Sequence, residues 1–498
     1  MKNSKGDLFS WLVAIFLAVV VAATAWGFGG KAKWVPDFVS TAGYIAGVLL
    51  VIRVILDFRQ RKRASVGLIL VIVVWGVLFY GSGEMLRNSI FTEVEGGGFA
   101  IAEDSAGKPA HADAGRARKL IPMFRGELLL GLAAAFCLRS RNAIRFLLGL
   151  SGANVIALAV IGGVFHFTTP GQLLGMVKAA NLRHFGAFHY HNHWGGYALL
   201  GTGALFALAA YSWQKKGGIG GKGNPTLFYV VGAALVSLML PLGGGRTSTL
   251  LLLAVVLFAI VSITIIASKG RSLGKSAGIA FCSLAVLGGL ILGVMYFGGK
   301  VVTNRAVDGG EKIAEIIEEG MESDSRIGIM QGAWDLYSLR PDYGWGIGGF
   351  SKMSPLFVPQ DHRGRDQWAF YAHNDYLQIL VETGWIGTTL LLLVPIGFGI
   401  FCAVRGRGNW ISRFLAVGVA AILLMAAYEF PFGNPAIVTL FVVLYGVGGR
   451  YALLEGDVFR AREARSNRRK EKRRLKRGES ESKHLNGRSG GEATEGEF

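Results

Sequence analysis

The chain has 498 residues, of which 52% are hydrophobic, with a formal net charge of +19 at pH 7 and a mean hydropathy of +0.42. Its 72 glycines follow no three-residue period, which excludes a collagen-like chain, and its three cysteines lie in apolar runs, which argues against a disulfide framework. Long runs almost free of charge, such as residues 8–28 and 250–267, can each cross a hydrocarbon core about 30 Å thick. The composition and its arrangement therefore indicate a membrane protein.

We predict an all-α polytopic membrane protein with about twelve transmembrane helices. The predicted spans, in chain order, are residues 8–28, 37–56, 66–86, 121–138, 143–165, 194–213, 226–242, 248–267, 277–298, 375–403, 411–430 and 434–451. The first apolar run is longer than that of a typical signal peptide, so we expect it to remain as a span.

The short connectors alternate in charge along the chain. Basic residues concentrate in every second connector, at 59–63, 139–145, 215–222, 269–275 and 405–413. Because basic loops stay on the cytoplasmic side, this pattern predicts a protein of the cytoplasmic (inner) membrane with both termini cytoplasmic. Lys31 and Lys33 are an exception, since they fall on the external side.

Three longer segments are then external or periplasmic, at residues 87–120, 166–193 and 299–372. The last of these, between spans nine and ten, is the only external loop large enough for a small domain. We divide the chain into N-terminal transmembrane helices (1–166), a transmembrane core that includes the loop 299–372 (167–453), and a disordered basic cytoplasmic tail (454–498).

The tail has eleven basic residues and two acidic residues between Arg460 and Arg477. Such a segment is attracted to anionic membrane lipid. No aromatic residue lies among these charges for base stacking, so we expect no nucleic-acid partner.

One polar stripe opens the tenth predicted span. Asn374, Gln378 and Glu382 are spaced by four residues and therefore share one face of a helix. A carboxylate inside a membrane is costly, so Glu382 is expected to face the bundle interior or a wet cavity. His373 lies at the external mouth, where it could exchange a proton with a hydroxyl; a helix-capping or interfacial histidine would have the same spacing.

This segment resembles the signature of the O-antigen ligase/polymerase family of lipid-linked glycan transferases. The pattern His-Asn, nine residues, then Gly-x-x-Gly-Thr is occupied by His373, Asn374, Gly384, Gly387 and Thr388. The resemblance implies that His373 is catalytic.

Three other segments are similar to motifs of the same family, and the resemblance covers roughly residues 180–405. Asn192 and His193 close a Gly-x-Phe-x-x-x-Asn-His pattern. Arg246 matches a Ser-Arg-Gly motif, although Gly245 and Thr247 depart from it. Arg326 opens an amphipathic segment in which Ile327, Met330, Trp334 and Tyr337 recur at helical spacing.

The resemblance implies transfer of a glycan from a polyprenyl-diphosphate-linked donor to an acceptor hydroxyl outside the membrane. The acceptor would be a glycan on another lipid-linked unit, lipid A-core or a protein. Arg246 and Arg326 would bind the diphosphate, since guanidinium groups pair with phosphate oxygens at any relevant pH. A snorkelling residue and a solvated helix face are the alternatives for these arginines. The implied enzyme is a metal-independent, inverting glycosyltransferase without a cofactor, an O-antigen ligase or a polymerase. Asn192, His193, Asn374, Gln378 and Glu382 complete the expected substrate site.

Two other interpretations are weaker. His189, His191 and His193 would point the same way on an extended stretch, but no cysteine or nearby carboxylate completes a metal site, so we expect none.

A polysaccharide transporter or flippase is the alternative function. It would show polar residues near mid-membrane in paired halves of the chain, whereas here they gather at the external face.

Overall fold

The computed structural model describes residues 8–59, 66–94, 98–105, 107–179, 184–216, 223–268, 325–358 and 369–489, with single positions between 274 and 292. The prediction of an all-α polytopic membrane protein is confirmed. Two antiparallel hairpins, β1–β2 (Phe91–Val94, Gly98–Ile101) and β3–β4 (Gln172–Leu173, Val177–Lys178), accompany the helices. The helices are α1 (Leu8–Trp26), α2 (Val35–Arg59), α3 (Val66–Arg87), α4 (Ala114–Phe136), α5 (Arg141–Thr168), α6 (His191–Lys216), α7 (Thr226–Gly243), α8 (Arg246–Ser268), α9 (Ser325–Leu339), α10 (Gly349–Phe357), α11 (Asp375–Arg405), α12 (Trp410–Met425) and α13 (Pro435–Ser489).

Eight of these helices are long and apolar enough to cross a membrane, namely α1, α2, α3, α5, α7, α8, α11 and α13. The helix α12 is a shorter apolar helix, and α6 is buried along nearly its whole length. Most of the predicted span at residues 277–298 lies outside the described residues, as does all of the first part of the predicted external loop, 299–324.

One continuous hydrophobic cluster joins the spanning helices around α6. Small residues allow backbones to approach closely there, as is common in membrane helix packing. A Cβ atom at Gly203 of α6 would lie 3.3 Å from the Cα of Gly418 in α12. The cluster includes residues of α1, α2 and α4 as well as α6 and α13, so the helices on both sides of residue 166 share one core.

A second hydrophobic cluster lies beyond one end of the bundle. We call the unit formed by residues 88–112, 325–358 and 369–383 the cap. The described part of the predicted external loop, residues 325–358 and 369–372, therefore packs together with the segment that follows α3. The buried residues of this second hydrophobic cluster are Ile90, Ala110, Ala112, Ile329, Ala333, Leu336, Trp345, Phe350, Met353, Val358, Ala369, Ala372 and Val381.

The helix α9 begins at Ser325 as predicted but buries a different face. Ile329, Ala333 and Leu336 enter the cap core, whereas the side chain of Trp334 is 54% exposed. The reason is the close approach of α10, because a Cβ atom at Gly332 would lie 2.6 Å from the carbonyl oxygen of Phe357. The face of α9 with the small residues Gly332 and Ala333 therefore packs against the cap core, because the larger side chain of Trp334 would not allow the same close approach.

The helix α11 is interrupted at Gly384, where the sequence predicted an unbroken span. Gly384 has φ 63° and ψ −179°, a conformation that is essentially restricted to glycine. The backbone of residues 341–345 fills the break: the amide of Trp385 donates to the carbonyl of Pro341 (2.8 Å), and the amide of Trp345 donates to that of Val381 (2.8 Å). The first turns of α11 therefore belong to the cap, and the membrane-crossing part follows Gly384.

The last helix continues to Ser489, in place of the disorder predicted after Leu454. Arg, Lys and Glu are good helix formers and no proline follows Pro435, so the helix can extend from the membrane core into the polar segment. Arg141 pairs with Glu455 (2.7 Å) and Arg145 with Tyr451 (3.0 Å) at the end of the bundle opposite the cap. Arg141 and Arg145, two of the predicted cytoplasmic charges, thus lie at the end remote from His373.

Candidate active site

His373 lies in a short loop whose backbone is fixed on both sides. Its φ of 53° is unusual for a residue with a side chain. The amide of Ala372 donates to Oε1 of Gln378 (2.7 Å), and Oδ1 of Asn374 accepts from the amides of Tyr376 (3.0 Å) and Leu377 (3.1 Å) as the N-cap of α11. A strained residue in a loop determined by its neighbours is a common feature of functional sites.

Phe430 is the centre of an aromatic row beside His373. Tyr371 stacks on Phe430 with ring centroids 4.4 Å apart, and Tyr190 stacks with it at 5.1 Å. His373 meets the edge of the same ring at 4.9 Å, and His193 does so at 5.3 Å. Segments that precede α6, α11 and α13 are thereby brought together at the cap end of the bundle.

Glu429, the residue before Phe430, is the most deeply buried carboxylate of this region, with a side chain 2% exposed. Nη2 of Arg326 lies 2.8 Å from its Oε1, and the hydroxyl of Tyr190 donates to its Oε2 at 3.3 Å. Nδ2 of Asn192 in turn donates to the hydroxyl of Tyr190 at 3.2 Å. These contacts link Arg326 of the cap to the start of α6.

Burial raises the pKa of the Glu429 carboxyl above its ordinary value, although Arg326, Asn192 and Tyr190 favour the charged form. Burial likewise raises the pKa of the Tyr190 phenol, and the nearby Glu429 acts in the same direction. Tyr190 is therefore a neutral hydrogen-bond donor at physiological pH.

His193 is oriented by Asn434. Nδ2 of Asn434 lies 3.2 Å from Nδ1 of His193, and the same amide nitrogen donates to the carbonyl of Gly29 (2.7 Å). Nδ1 of His193 therefore faces an amide nitrogen, a group that only donates hydrogen bonds. Oδ1 of Asn434 also accepts from the amide of Ala436 at the start of α13 (3.0 Å).

Arg246 is the first residue of α8, and its side chain is exposed. The start of α8 packs against the start of α6, because a Cβ atom at Gly245 would lie 2.5 Å from Oδ1 of Asn192 and would clash with the hydroxyl of Ser248. A side chain at position 245 would therefore require Asn192 and Ser248 to move. The N-terminal end of α8 therefore lies next to Asn192.

The polar stripe of α11 makes hydrogen bonds within the cap. Asn374 caps the helix, and Nε2 of Gln378 donates to Oε1 of Glu382 (2.5 Å). The carboxylate of Glu382 also accepts from the backbone N–H groups of Gly348 and Phe350 at the start of α10. Because Glu382 precedes the break at Gly384, it lies in the cap and joins α11 to α10. We therefore leave Asn374, Gln378 and Glu382 out of the proposed substrate site.

The histidines before α6 do not form one row. His191 and His193 already belong to α6, so the alternation expected of an extended stretch does not apply. His189 meets the edge of Phe28 at 6.5 Å, whereas His193 faces Phe430. No group of three histidine, cysteine or carboxylate side chains within the described part of the chain could hold a metal ion.

The fold and the site define a multi-pass membrane protein with a buried polar cluster between its bundle and its cap. Residues 231–392, about a third of the chain, match the family described as O-antigen ligase, which confirms the predicted resemblance. We call this matched segment the O-antigen ligase domain. The match includes Arg246, Arg326 and His373. A comparison with curated proteins finds no match. The domain indicates a function of the O-antigen ligase or polymerase type, with lipid-linked glycans as substrates.

Sequence reasoning missed Glu429 and Phe430, which lie outside the matched segment. The predicted span 411–430 concealed them, whereas α12 ends at Met425 and the chain turns through the 3-10 helix Pro431–Gly433. The available signal was a single carboxylate, two residues before Pro431 at the predicted external end of an apolar run, where an uncompensated charge is costly.

Proposed function

We propose that the protein is a metal-independent, inverting glycosyltransferase of the O-antigen ligase type. It moves a glycan from a polyprenyl-diphosphate carrier to an acceptor hydroxyl on the external face of the inner membrane. One observation carries the proposal: the strained His373, Arg326 and the start of α8 with Arg246 are connected through Phe430, Glu429, Tyr190 and Asn192 at one end of the bundle.

In this reaction the acceptor oxygen attacks the anomeric carbon of the donor from the side opposite the diphosphate. The new carbon–oxygen bond forms as the bond to the diphosphate oxygen breaks, and the leaving polyprenyl diphosphate takes the electron pair. His373 accepts the hydroxyl proton. The anomeric centre is inverted because attack is direct, and no cofactor enters the balance.

The arginines stabilise the charge that develops on the leaving group. Arg246 lies at the N-terminus of α8, where the helix dipole favours an anion. Arg326 presents a guanidinium that is 41% exposed on its outer side and anchored to Glu429 on its inner side. An anchored cation is already oriented before the donor binds, which lowers the cost of binding.

The test is transfer of a lipid-linked glycan by purified protein carrying His373→Ala or His373→Gln. A general base contributes about 10²–10⁴-fold in rate, so the alanine variant should lose most activity while the protein remains folded. If proton transfer is the role, glutamine should be equally inactive. His189→Ala is the control and should retain transfer. An active His373→Ala protein would remove this histidine from the mechanism.

Glycan profiling of a deletion strain assigns the acceptor. Full-length polymer that is not attached to its acceptor supports the proposed ligase. A single repeat unit attached to the acceptor would instead show a polymerase, and lipid-linked units retained on the cytoplasmic face would show a flippase.

A further inference from the structure

Lys31 lies close to the site, although it is distant from the motifs in the sequence. It belongs to the connection between α1 and α2, and with Lys33 it is the exception to the charge pattern of the connectors. Basic residues on the external side oppose the positive-inside rule. The structure places this connection at the same end of the bundle as His373, since Gly29 contacts Asn434.

The backbone before Lys31 is a tight turn that is fixed by the rest of the protein. Phe28, Gly29 and Gly30 have φ values of 50°, 60° and 88°. A Cβ atom at Gly29 would lie 2.8 Å from the Cα of Phe188, so only glycine allows this approach. The carbonyl of Gly29 accepts from Asn434, which also contacts His193. The position of Lys31 relative to the site is therefore determined by the fold.

The ammonium group of Lys31 reaches the aromatic row. Its Nζ lies 3.4 Å from the hydroxyl of Tyr371 and 5.6 Å from the centre of that ring. Tyr371 stacks on Phe430, which His373 contacts. Together with burial, the charge of Lys31 lowers the pKa of His189. Lys31 and Arg326 thus lie at opposite ends of the row formed by Tyr371, Phe430 and Tyr190.

Lys31 and Arg326 differ in whether a neighbouring carboxylate neutralises their positive charge. Arg326 is paired with the buried carboxylate of Glu429. Lys31 is exposed, and no carboxylate of the described residues lies within 4.0 Å of its ammonium group, so its charge is available to a ligand at the mouth of the site. An exposed, uncompensated lysine attracts an anion without the geometric selectivity of arginine.

We propose that Lys31 binds an anionic group of the substrate, either a phosphate of the donor diphosphate or an acidic group of the glycan. The inference rests on the proposed function, and it adds a residue from the first helical hairpin, outside the O-antigen ligase domain, to the substrate site. It also explains why a basic residue stands on the side of the membrane that basic residues usually avoid.

The experiment compares Lys31→Ala, Lys31→Arg and Lys33→Ala in the full-length protein. Lys33 is exposed, lies two residues away and carries the same charge, so both alanine variants change the external charge equally. Inorganic diphosphate binding to the purified protein is measured by titration, and the donor KM is measured with one neutral and one acidic glycan.

If the ligand is the donor diphosphate, Lys31→Ala should weaken inorganic diphosphate binding and raise the donor KM by about tenfold, the size of one exposed charge-assisted bond. If the ligand is an acidic glycan group, diphosphate binding should stay unchanged and KM should rise with the acidic glycan alone. Lys31→Arg should preserve most affinity, and Lys33→Ala should resemble the unmodified protein.

Suppose that the unmodified protein transfers glycan and that the Lys31→Ala and Lys33→Ala proteins give the same result in both measurements. This outcome overturns the inference about Lys31 and leaves the proposed function intact. An unmodified protein that transfers no glycan overturns the proposed function. In that case binding of the acidic glycan donor is titrated in place of its KM. Unchanged binding of both inorganic diphosphate and the acidic donor in the Lys31→Ala protein then overturns the inference as well.

Discussion

Removal of Arg326 should affect stability and transfer by different routes, and a second substitution can separate them. Arg326→Ala leaves the carboxylate of Glu429, with a side chain 2% exposed, without its cation. Loss of one partner from a fully buried pair costs about 3–5 kcal/mol. Because the side chain of Arg326 is 41% exposed, water already screens this pair, and we expect a loss of about 3 kcal/mol, at the lower end of that range.

The stability loss should depend on pH in a defined direction. Burial already raises the pKa of Glu429 in the folded protein, and removal of Arg326 raises it further because the nearest cation is gone. A carboxyl whose folded pKa lies above its unfolded pKa destabilises the protein when ionised, and protonation relieves this as pH falls through the folded value. The Arg326→Ala protein should therefore regain stability on acidification more than the unmodified protein does.

Adding Glu429→Gln to Arg326→Ala removes the buried charge. We expect the double variant to recover most of the lost stability, because the glutamine amide is neutral and can still accept from Tyr190. It should not recover transfer, since the diphosphate still lacks its guanidinium. The assays are thermal unfolding in detergent at several pH values and glycan transfer normalised to folded protein. Recovery of transfer by the double variant would refute the role of Arg326 in binding the donor.

Three further predictions concern the loop, the helix break and the orientation. Asn374→Ala should destabilise the protein by about 1 kcal/mol through loss of the helix cap, whereas Asn374→Ser should retain stability and transfer. Thermal unfolding and transfer assays check this. An Asn374→Ser protein as inactive as the His373→Ala protein would return Asn374 to the substrate site. Gly384→Ala should destabilise the protein by about 1–3 kcal/mol because of the backbone conformation at this position, and it should displace the backbone of residues 341–345. The control is Gly397→Ala, where no atom lies within 4 Å of the added Cβ. It should behave like the unmodified protein in thermal unfolding. A cysteine at Lys352 in the cap should react with an impermeant thiol reagent in intact cells and one at Arg407 should not; the reverse pattern would contradict the proposed orientation and the external site.

The sequence determined the membrane character and the approximate bounds of most helices. Apolar runs of about twenty residues can be read directly, because the thickness of the hydrocarbon core imposes their length on the chain. The starts of α8 and α9 were predicted at Arg246 and Ser325 within two residues, and the segment 231–392 matches the family whose motifs the sequence showed. Local patterns and short motifs carry this information.

The tertiary structure alone decided which polar residues meet. Gln378 and Glu382 follow a helical period that a substrate-lined face would share, and only the backbone of residues 341–345 in the break at Gly384 places them within the cap. Glu429 and Lys31 belong to no motif, yet each contacts the row around Phe430 because connections distant in sequence fold to the same end of the bundle. Hydropathy indicates which segments of the chain lie within the membrane. It carries no information about which neighbouring helix or loop a given residue faces. For that reason the helices could be read from the sequence, whereas the partners of Glu429 and Lys31 could not.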